Sequence, residues 1–174
     1  MVFRVSQILQ RPAAASTYAR VSVATPHIRW NRLSAVRCGG GHNHRNDLGA
    51  GVLIKENHVR AAGGIGEAVS RARVHAPHSL RIECEVTDFE ELRQALAAGA
   101  DAVLLDNMDD AQVREAVAIV GGKALVEVSG GVSLDRITQL ASQGIDVISV
   151  GRLTHSAPAS DISLLFQLGD GGWG

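Results

Sequence analysis

Residues 102–131 of this chain run AVLLDNMDDAQVREAVAIVGGKALVEVSGG, and this stretch decides the fold. The apolar run Ala102–Asn107 predicts a buried strand, and a helix is expected from Asp109 to Val120. Two glycines end that helix, and a second apolar strand follows at Ala124–Val128. Apolar strands that alternate with helices over short links indicate an α/β fold with a parallel sheet covered on both faces.

The same unit recurs on either side of this stretch. Arg81–Val86 predicts a strand, and the helix after it begins at the N-cap Asp88, with Glu91 placed as in a capping box. Towards the C-terminus, Ser133 caps a helix that runs to Gln143, and Val147–Gly151 predicts the next strand. A shorter strand at 52–55 and a helix at 65–74 precede these units, which gives four or five strands in total.

Polar residues end four of these strands: Glu85, Asp106, Ser129 and Ser149. In parallel sheets these ends meet at one edge, which is the position of the active site in a (β/α) barrel. A doubly wound sheet would also place its site there, but nothing in the chain resembles GxGxxG. We therefore predict a partial, TIM-like (β/α) barrel. Four or five strands do not close an eight-stranded barrel, so either the chain is a partial barrel or another chain completes it.

Composition limits the classes of function. The chain has 174 residues, of which 45% are hydrophobic and 20% charged, as expected for one globular domain. No apolar run is long enough to span a bilayer, so we expect no membrane partner, and the net charge of -1 argues against nonspecific binding of nucleic acid. The two cysteines, Cys38 and Cys84, form no disulfide framework or metal spacing, which favours a cytosolic location with Cys84 buried.

A cationic cluster follows a glycine turn at residues 38–45, CGGGHNHR, and Lys55 lies close behind it in the sequence. Glycines allow the backbone to approach a ligand, and arginine suits carboxylates and phosphates, so the cluster predicts an anion site. Glu83 and Glu85 share one face of their strand. That face is either the barrel interior or the solvated side of an edge strand, and the crossover helix that follows favours the interior.

The chain resembles the quinolinate phosphoribosyltransferases, also called nicotinate-nucleotide pyrophosphorylases (carboxylating). The resemblance is carried by six stretches in family order, which are residues 35–45, 53–58, 83–86, 104–108, 127–131 and 146–156. It implies that the ring nitrogen of quinolinate attacks phosphoribosyl pyrophosphate, with release of pyrophosphate and then carbon dioxide. The product would be nicotinate mononucleotide, for NAD synthesis. Mg²⁺ and a homodimer with shared sites are also implied.

The resemblance also assigns roles to residues. His44, Arg45 and Lys55 would hold the two carboxylates of quinolinate. Glu85 and Asp106 would hold ribose hydroxyls and Mg²⁺ and, with Lys55, would form the catalytic group. The 5-phosphate would be bound through backbone groups of the late turns, at Ser129, Gly130, Gly131, Ser149 and Gly151.

The N-terminal part departs from the family pattern. Residues 1–46 contain seven arginines and no acid, and the family's Arg-Lys pair aligns with Ser22-Val23. Ala50 stands where the family has an aspartate. We expect residues 1–34 to be an atypical basic segment, disordered or non-native, left by truncation or a frame disruption, with a transit peptide as the alternative. Residues 35–168 would form the barrel portion and 169–174 a tail, without the family's N-terminal domain.

Three functions remain open at this stage. The chain is the catalytic portion of such an enzyme, an inactive fragment that binds phosphate or a dicarboxylate, or another phosphate-binding barrel enzyme such as an aldolase. An aldolase needs a Schiff-base lysine at a strand end, and of the two lysines only Lys55 is so placed, because Lys123 precedes its strand. We expect little turnover of quinolinate by a chain without the missing domain.

Overall fold

The computed structural model describes residues 33–44, 49–152, 161 and 163–164, together with the backbone of 16–19. Among these residues, 33–38 are helical. The strands are β1 Ser16–Ala19, β2 His42–Asn43, β3 Val52–Ile54, β4 Ile82–Val86, β5 Ala102–Asp106, β6 Leu125–Ser129 and β7 Val147–Ser149. The longer helices are α1 Glu56–Ala62, α2 Ile65–His75, α3 Phe89–Ala97, α4 Asp110–Val120 and α5 Leu134–Ala141.

The strands form one sheet in the order β2-β1-β7-β6-β5-β4-β3, and every described pair is parallel. From β3 to β7 each strand pairs with its neighbour in sequence, and a helix covers each connection, which confirms the predicted βα units. The β1 strand then inserts between β7 and β2.

The sheet is strongly curled. His44 directly follows β2 at one end of the strand order, yet its Nε2 atom lies 3.5 Å from Glu83 Oε2 on β4, near the other end. Five strand spacings separate β2 from β4, and in a flat sheet this amounts to roughly 24 Å. The two ends therefore face each other across an interior, which supports the predicted partial barrel.

Alternation along the strands divides the side chains between this interior and the outer core. Cys84, Val103, Val128 and Ile148 are fully buried and belong to the apolar cluster shared with the helices. The intervening residues Glu83, Glu85 and Glu127 face inwards, so the interior carries carboxylates. The prediction that Cys84 is buried is confirmed, and both cysteines are free.

The expected number of strands was wrong, because the described residues contain seven. The β1 and β2 strands have four and two residues, too few to produce a periodic pattern in sequence. The β1 strand places Ser16–Ala19 within the sheet, inside the basic segment 1–34. The α1 helix was likewise missed, and it ends at Gly63, where φ is +89°.

Most predicted helix ends are confirmed. The carboxylates of Asp88 and Asp109 accept hydrogen bonds from the first turns of α3 and α4, and the Ser133 hydroxyl does so for α5. One detail differs, because Glu91 accepts from the backbone and hydroxyl of Thr87 rather than closing a capping box on Asp88. Within the described part of the chain, no helix is long and apolar enough to cross a membrane.

Candidate active site

The first element of the site is an ion pair between neighbouring strands. Lys55 follows β3 immediately, and its Nζ atom lies 2.6 Å from Glu85 Oε2 on β4. The Glu85 side chain is 15% exposed and that of Lys55 is 40% exposed, so the ammonium remains accessible to a ligand. The backbone N–H of Lys55 donates to His58 Nδ1 at 3.0 Å, which fixes the point where β3 passes into α1.

Asp106 ends β5 on the same face of the sheet as Glu85. Leu104 pairs with Glu85, and Asp106 follows Leu104 by two residues. The next residue, Asn107, has φ +57° and is the one non-glycine residue with positive φ in the described part of the chain. Its Nδ2 atom donates to Asp106 Oδ2 at 2.9 Å, so the turn orients the carboxylate.

The turn after β6 packs directly against the turn after β5. The backbone N–H of Asn107 donates to the Ser129 carbonyl at 3.0 Å. Gly130 has φ +84°, and a Cβ atom there would collide with the Asn107 carboxamide. Glycine is therefore required at this position both for its backbone angles and for space.

Arg136 joins the same two turns from the outside. Its Nε atom donates to Asp110 Oδ1 at 2.8 Å, and its two terminal nitrogens donate to the carbonyls of Met108 at 2.5 Å and Gly130 at 3.4 Å. The side chain is 18% exposed. One guanidinium thus connects the turn that carries Asp106 to the glycine turn after β6.

A second group of charges lies deeper in the interior. His44 Nε2 is 3.1 Å from Glu127 Oε1 and 3.5 Å from Glu83 Oε2. Burial alone would lower the pKa of His44, but the two carboxylates outweigh it and raise the pKa to about 9. Burial raises the pKa of Glu83, and the nearby Glu127 raises it further. Burial acts the same way on Glu127, yet His44, Glu83 and Ser149 together lower its pKa.

This group borders a cavity of about 170 Å³. Besides His44, Glu83 and Glu127, residues at the amino ends of the strands contribute to its lining, among them Val52, Ala102 and Leu125. The cavity therefore approaches the interior from the side opposite to the strand ends that carry Asp106 and Ser129.

The structure brings some of the predicted site residues together and separates others. Lys55 and Glu85 are in contact, and Asp106, Ser129 and Gly130 lie in adjoining turns. His44 instead contacts Glu83 and Glu127. Ser149 ends β7, as predicted, and is 1% exposed, and its side chain lies beside Glu127. Gly131 follows Gly130 with φ +58°, and Gly151 follows β7. Arg45 and the Ser22-Val23 positions lie outside the described residues.

Sequence reasoning missed Glu127. The residue lies between Val126 and Val128 in a strand that looked uniformly apolar, and no role was assigned to it. A single glutamate within such a strand is itself a signal, because an uncompensated charge is costly to bury and calls for a partner. Glu83 was expected in the interior but likewise received no role there.

The Glu85 and Asp106 carboxylates fit the Mg²⁺ that the resemblance implies. Mg²⁺ prefers oxygen ligands and is commonly held by one or two carboxylates together with substrate phosphates. Glu85 and Asp106 supply such oxygens on one face, beside a glycine turn suited to phosphate. Their donor chemistry is compatible with an ion that arrives with the phosphoribosyl substrate.

Comparisons with known proteins show the family of the chain. Residues 5–165 match the model of the family described as quinolinate phosphoribosyl transferase, C-terminal domain. The nicotinate-nucleotide pyrophosphorylase (carboxylating) of Homo sapiens is 40% identical over 174 residues, covering 92% of this chain and 59% of the human protein. The Rattus norvegicus protein of that name is 43% identical over 150 residues, covering 84% of this chain and 50% of its own length.

A solved structure gives the same result for the fold. The nicotinate-nucleotide pyrophosphorylase from Francisella tularensis superposes with a TM-score of 0.76 at 42% identity, covering 88% of this chain and 53% of that one. The chain thus spans between half and three fifths of the length of these relatives.

Proposed function

Because the chain belongs to the quinolinate phosphoribosyl transferase family, we propose that it carries the barrel part of an enzyme that transfers phosphoribosyl from phosphoribosyl pyrophosphate to quinolinate. Carbon dioxide is then lost, and nicotinate mononucleotide is formed for NAD synthesis. The names of the relatives support this activity for whole proteins about twice as long as this chain.

One observation carries the proposal: a half-exposed ammonium and two carboxylates lie together at the carboxyl ends of adjacent strands. Lys55 is paired with Glu85, and Asp106 lies on the same face one strand further on. A cation at this place suits a carboxylate of quinolinate, and the two acids suit ribose hydroxyls. The pairing also favours a charge role for Lys55 over the aldolase alternative, since a Schiff base forms from a neutral amine.

The glycine turn after β6 supports a phosphate site. Gly130 and Gly131 both have positive φ, and the turn leads to α5, whose first backbone N–H groups are capped by Ser133. Backbone N–H groups at such turns bind phosphate. In this proposal Ser129, Gly130 and Gly131 hold the 5-phosphate together with backbone groups at Ser149 and Gly151.

The residues of the chain then act through charge and position. Lys55, with His44 and Arg45, holds quinolinate with its ring nitrogen towards the anomeric carbon. Glu85 and Asp106 orient the ribose and stabilise positive charge that develops on the sugar ring as pyrophosphate leaves. Mg²⁺, when bound at these two carboxylates, would neutralise phosphate charge. When the 2-carboxylate leaves as carbon dioxide, Lys55 stabilises the electron pair that remains on the ring carbon, which then takes up a proton.

The proposal includes a homodimer with shared sites, as the resemblance implies. It also includes a cytosolic location, which the two free cysteines support. Burial raises the pKa of the Cys84 thiol to about 11, so this cysteine is suited to packing rather than to reaction.

The two lysines of the chain provide a matched test. Lys55→Met removes the ammonium next to Glu85, whereas Lys123→Met removes one from the exposed turn before β6. Quinolinate binding is measured by calorimetry, and turnover as carbon dioxide released in the presence of phosphoribosyl pyrophosphate and Mg²⁺.

Because little turnover is expected of this chain, binding is the main readout, and we expect Lys55→Met to weaken quinolinate binding by roughly 100-fold, as for loss of a charged hydrogen-bond partner. Lys123→Met should behave as the unmodified chain. Absence of saturable quinolinate binding by the unmodified chain, or equal effects of the two substitutions, would refute the proposal.

A further inference from the structure

Arg136 lies where a cation is electrostatically disfavoured. The residue belongs to the first turn of α5, and its backbone N–H donates to the Ser133 hydroxyl at 3.3 Å. The positive end of the helix dipole destabilises a cation in this turn. The side chain is also only 18% exposed, and a guanidinium is costly to bury unless it is paired and hydrogen-bonded. Neither the helix nor solvation therefore accounts for an arginine at this position.

The guanidinium spends each of its three nitrogens on a different acceptor. Its Nε atom donates to the Asp110 carboxylate in the first turn of α4, which compensates the charge. The two terminal nitrogens donate to the backbone carbonyls of Met108 and Gly130. Because the guanidinium is planar and rigid, its donors have a fixed spacing. One side chain thus sets the separation between the turn after β5 and the turn after β6.

These two turns are the ones assigned above to different parts of the phosphoribosyl group. Asp106, two residues before Met108, is proposed to hold ribose hydroxyls, and Gly130 and Gly131 are proposed to hold the 5-phosphate. The guanidinium lies against this second turn, since a Cβ atom at Gly131 would be 3.7 Å from Arg136 Nη1. A ligand that binds both turns at once depends on their separation, because small displacements weaken several contacts together.

We propose that Arg136 is a positioning residue for phosphoribosyl pyrophosphate, which fixes the separation between the turn that carries Asp106 and the glycine turn after β6. This inference rests on the proposed function, because it takes the assignment of the two turns to ribose and phosphate from there. The role is geometric, since Asp110 already compensates the charge of the guanidinium. Lys55 follows β3 and is not part of this network, so binding of quinolinate does not depend on Arg136.

Calorimetry on the full chain tests the proposal with two ligands, phosphoribosyl pyrophosphate in the presence of Mg²⁺ and quinolinate alone. Arg136→Met removes all three side-chain hydrogen bonds, and Arg136→Lys keeps the charge but not the planar fork. Arg114→Met, at an exposed position on α4, is the control. We expect both Arg136 variants to bind phosphoribosyl pyrophosphate at least about tenfold more weakly, with quinolinate affinity unchanged. The control should bind both ligands as the unmodified chain does.

The pair of ligands separates positioning from general stability, because partial unfolding weakens the binding of both. Circular dichroism reports whether each variant folds, and should Arg136→Met not fold, Arg136→Lys decides. Equal losses for the two ligands, unchanged phosphoribosyl pyrophosphate affinity, or full affinity in Arg136→Lys would overturn the inference, as would an unmodified chain that does not bind phosphoribosyl pyrophosphate. Binding of phosphoribosyl pyrophosphate without quinolinate would instead refute the proposed transfer and leave the role of Arg136 standing.

Discussion

Replacement of Gly130 by alanine tests the contact between the two turns at the strand ends. The new Cβ would meet the carboxamide of Asn107, whose backbone nitrogen would also lie only 3.0 Å away. The backbone angle adds strain, since φ at Gly130 is +84°. Gly122 is the matched control, because its φ is +77° and a Cβ there has nothing within 4 Å.

The expected free energies of unfolding follow from these two positions. The left-handed angle costs about 1–2 kcal/mol for alanine, and lower entropy of the unfolded chain offsets roughly 0.4–1 kcal/mol of it. Gly122→Ala should therefore destabilise by about 1 kcal/mol. Gly130→Ala also displaces Asn107 and breaks its hydrogen bond to Asp106, worth about 1 kcal/mol. Together with the overlap, we expect a total of about 3 kcal/mol, which lowers Tm by roughly 6–12 °C for a chain of this length.

Thermal and urea unfolding of both variants measure the difference, and calorimetry with phosphoribosyl pyrophosphate reports on the site. Asn107→Gly provides a rescue, because φ +57° suits glycine and the two colliding carboxamide atoms are removed, while the backbone nitrogen remains. The double variant should recover the part of the loss caused by the Asn107 side chain. Equal destabilisation by Gly130→Ala and Gly122→Ala, or no recovery in the double variant, would refute the reasoning.

Three further predictions concern stability. Arg136→Met keeps the apolar stem but removes the hydrogen bonds to both turns. The free energy of unfolding in urea should therefore fall by about 2–3 kcal/mol. The control is Arg114→Met at an exposed position, which should change it by about zero. The pKa of His44 is raised to about 9, so its protonation stabilises the folded chain. This contribution to the free energy of unfolding is fully present below pH 6.5 and is lost as the pH rises through 9. We therefore expect the free energy of unfolding, measured in urea, to fall between pH 6 and pH 10. The fall should be about 3 kcal/mol larger for the unmodified chain than for His44→Gln. Leu92 on α3 is fully buried in the outer core, so Leu92→Ala should lower the free energy of unfolding in urea by about 2–5 kcal/mol. A loss of less than about 1 kcal/mol would contradict that packing.

The regular βα units were predictable because each carries its own signals. The α4 helix shows this, since Asp109 caps its start and Gly121, with φ +55°, ends it. The flanking strands β5 and β6 are apolar runs, and a parallel sheet is the arrangement that buries them. Local patterns therefore specified the elements and the edge at which Asp106 and Ser129 lie.

The interior charges were not predictable, because they meet only when the sheet curls. His44 belongs to a glycine-rich turn near the start of the described chain, and Glu127 lies on β6, far away in sequence. The cationic cluster suggested that His44 and Lys55 bind one anion, yet in the structure each first contacts a different glutamate, at Glu127 and Glu85 respectively. Sequence spacing identifies which side chains face inwards, but the curvature decides which of them touch.

The two ends of the curled sheet also affect solubility during folding. In the described residues, β2 and β3 each pair on one side only, and they have two and three residues. Exposed strand edges promote pairing between chains, and a short edge offers few free backbone groups to a second molecule. The described sheet thus places its longest strands, β4 to β6, between neighbours, and the strands at its two borders are short. Misassembly by edge-to-edge pairing is disfavoured by this arrangement before any ligand binds.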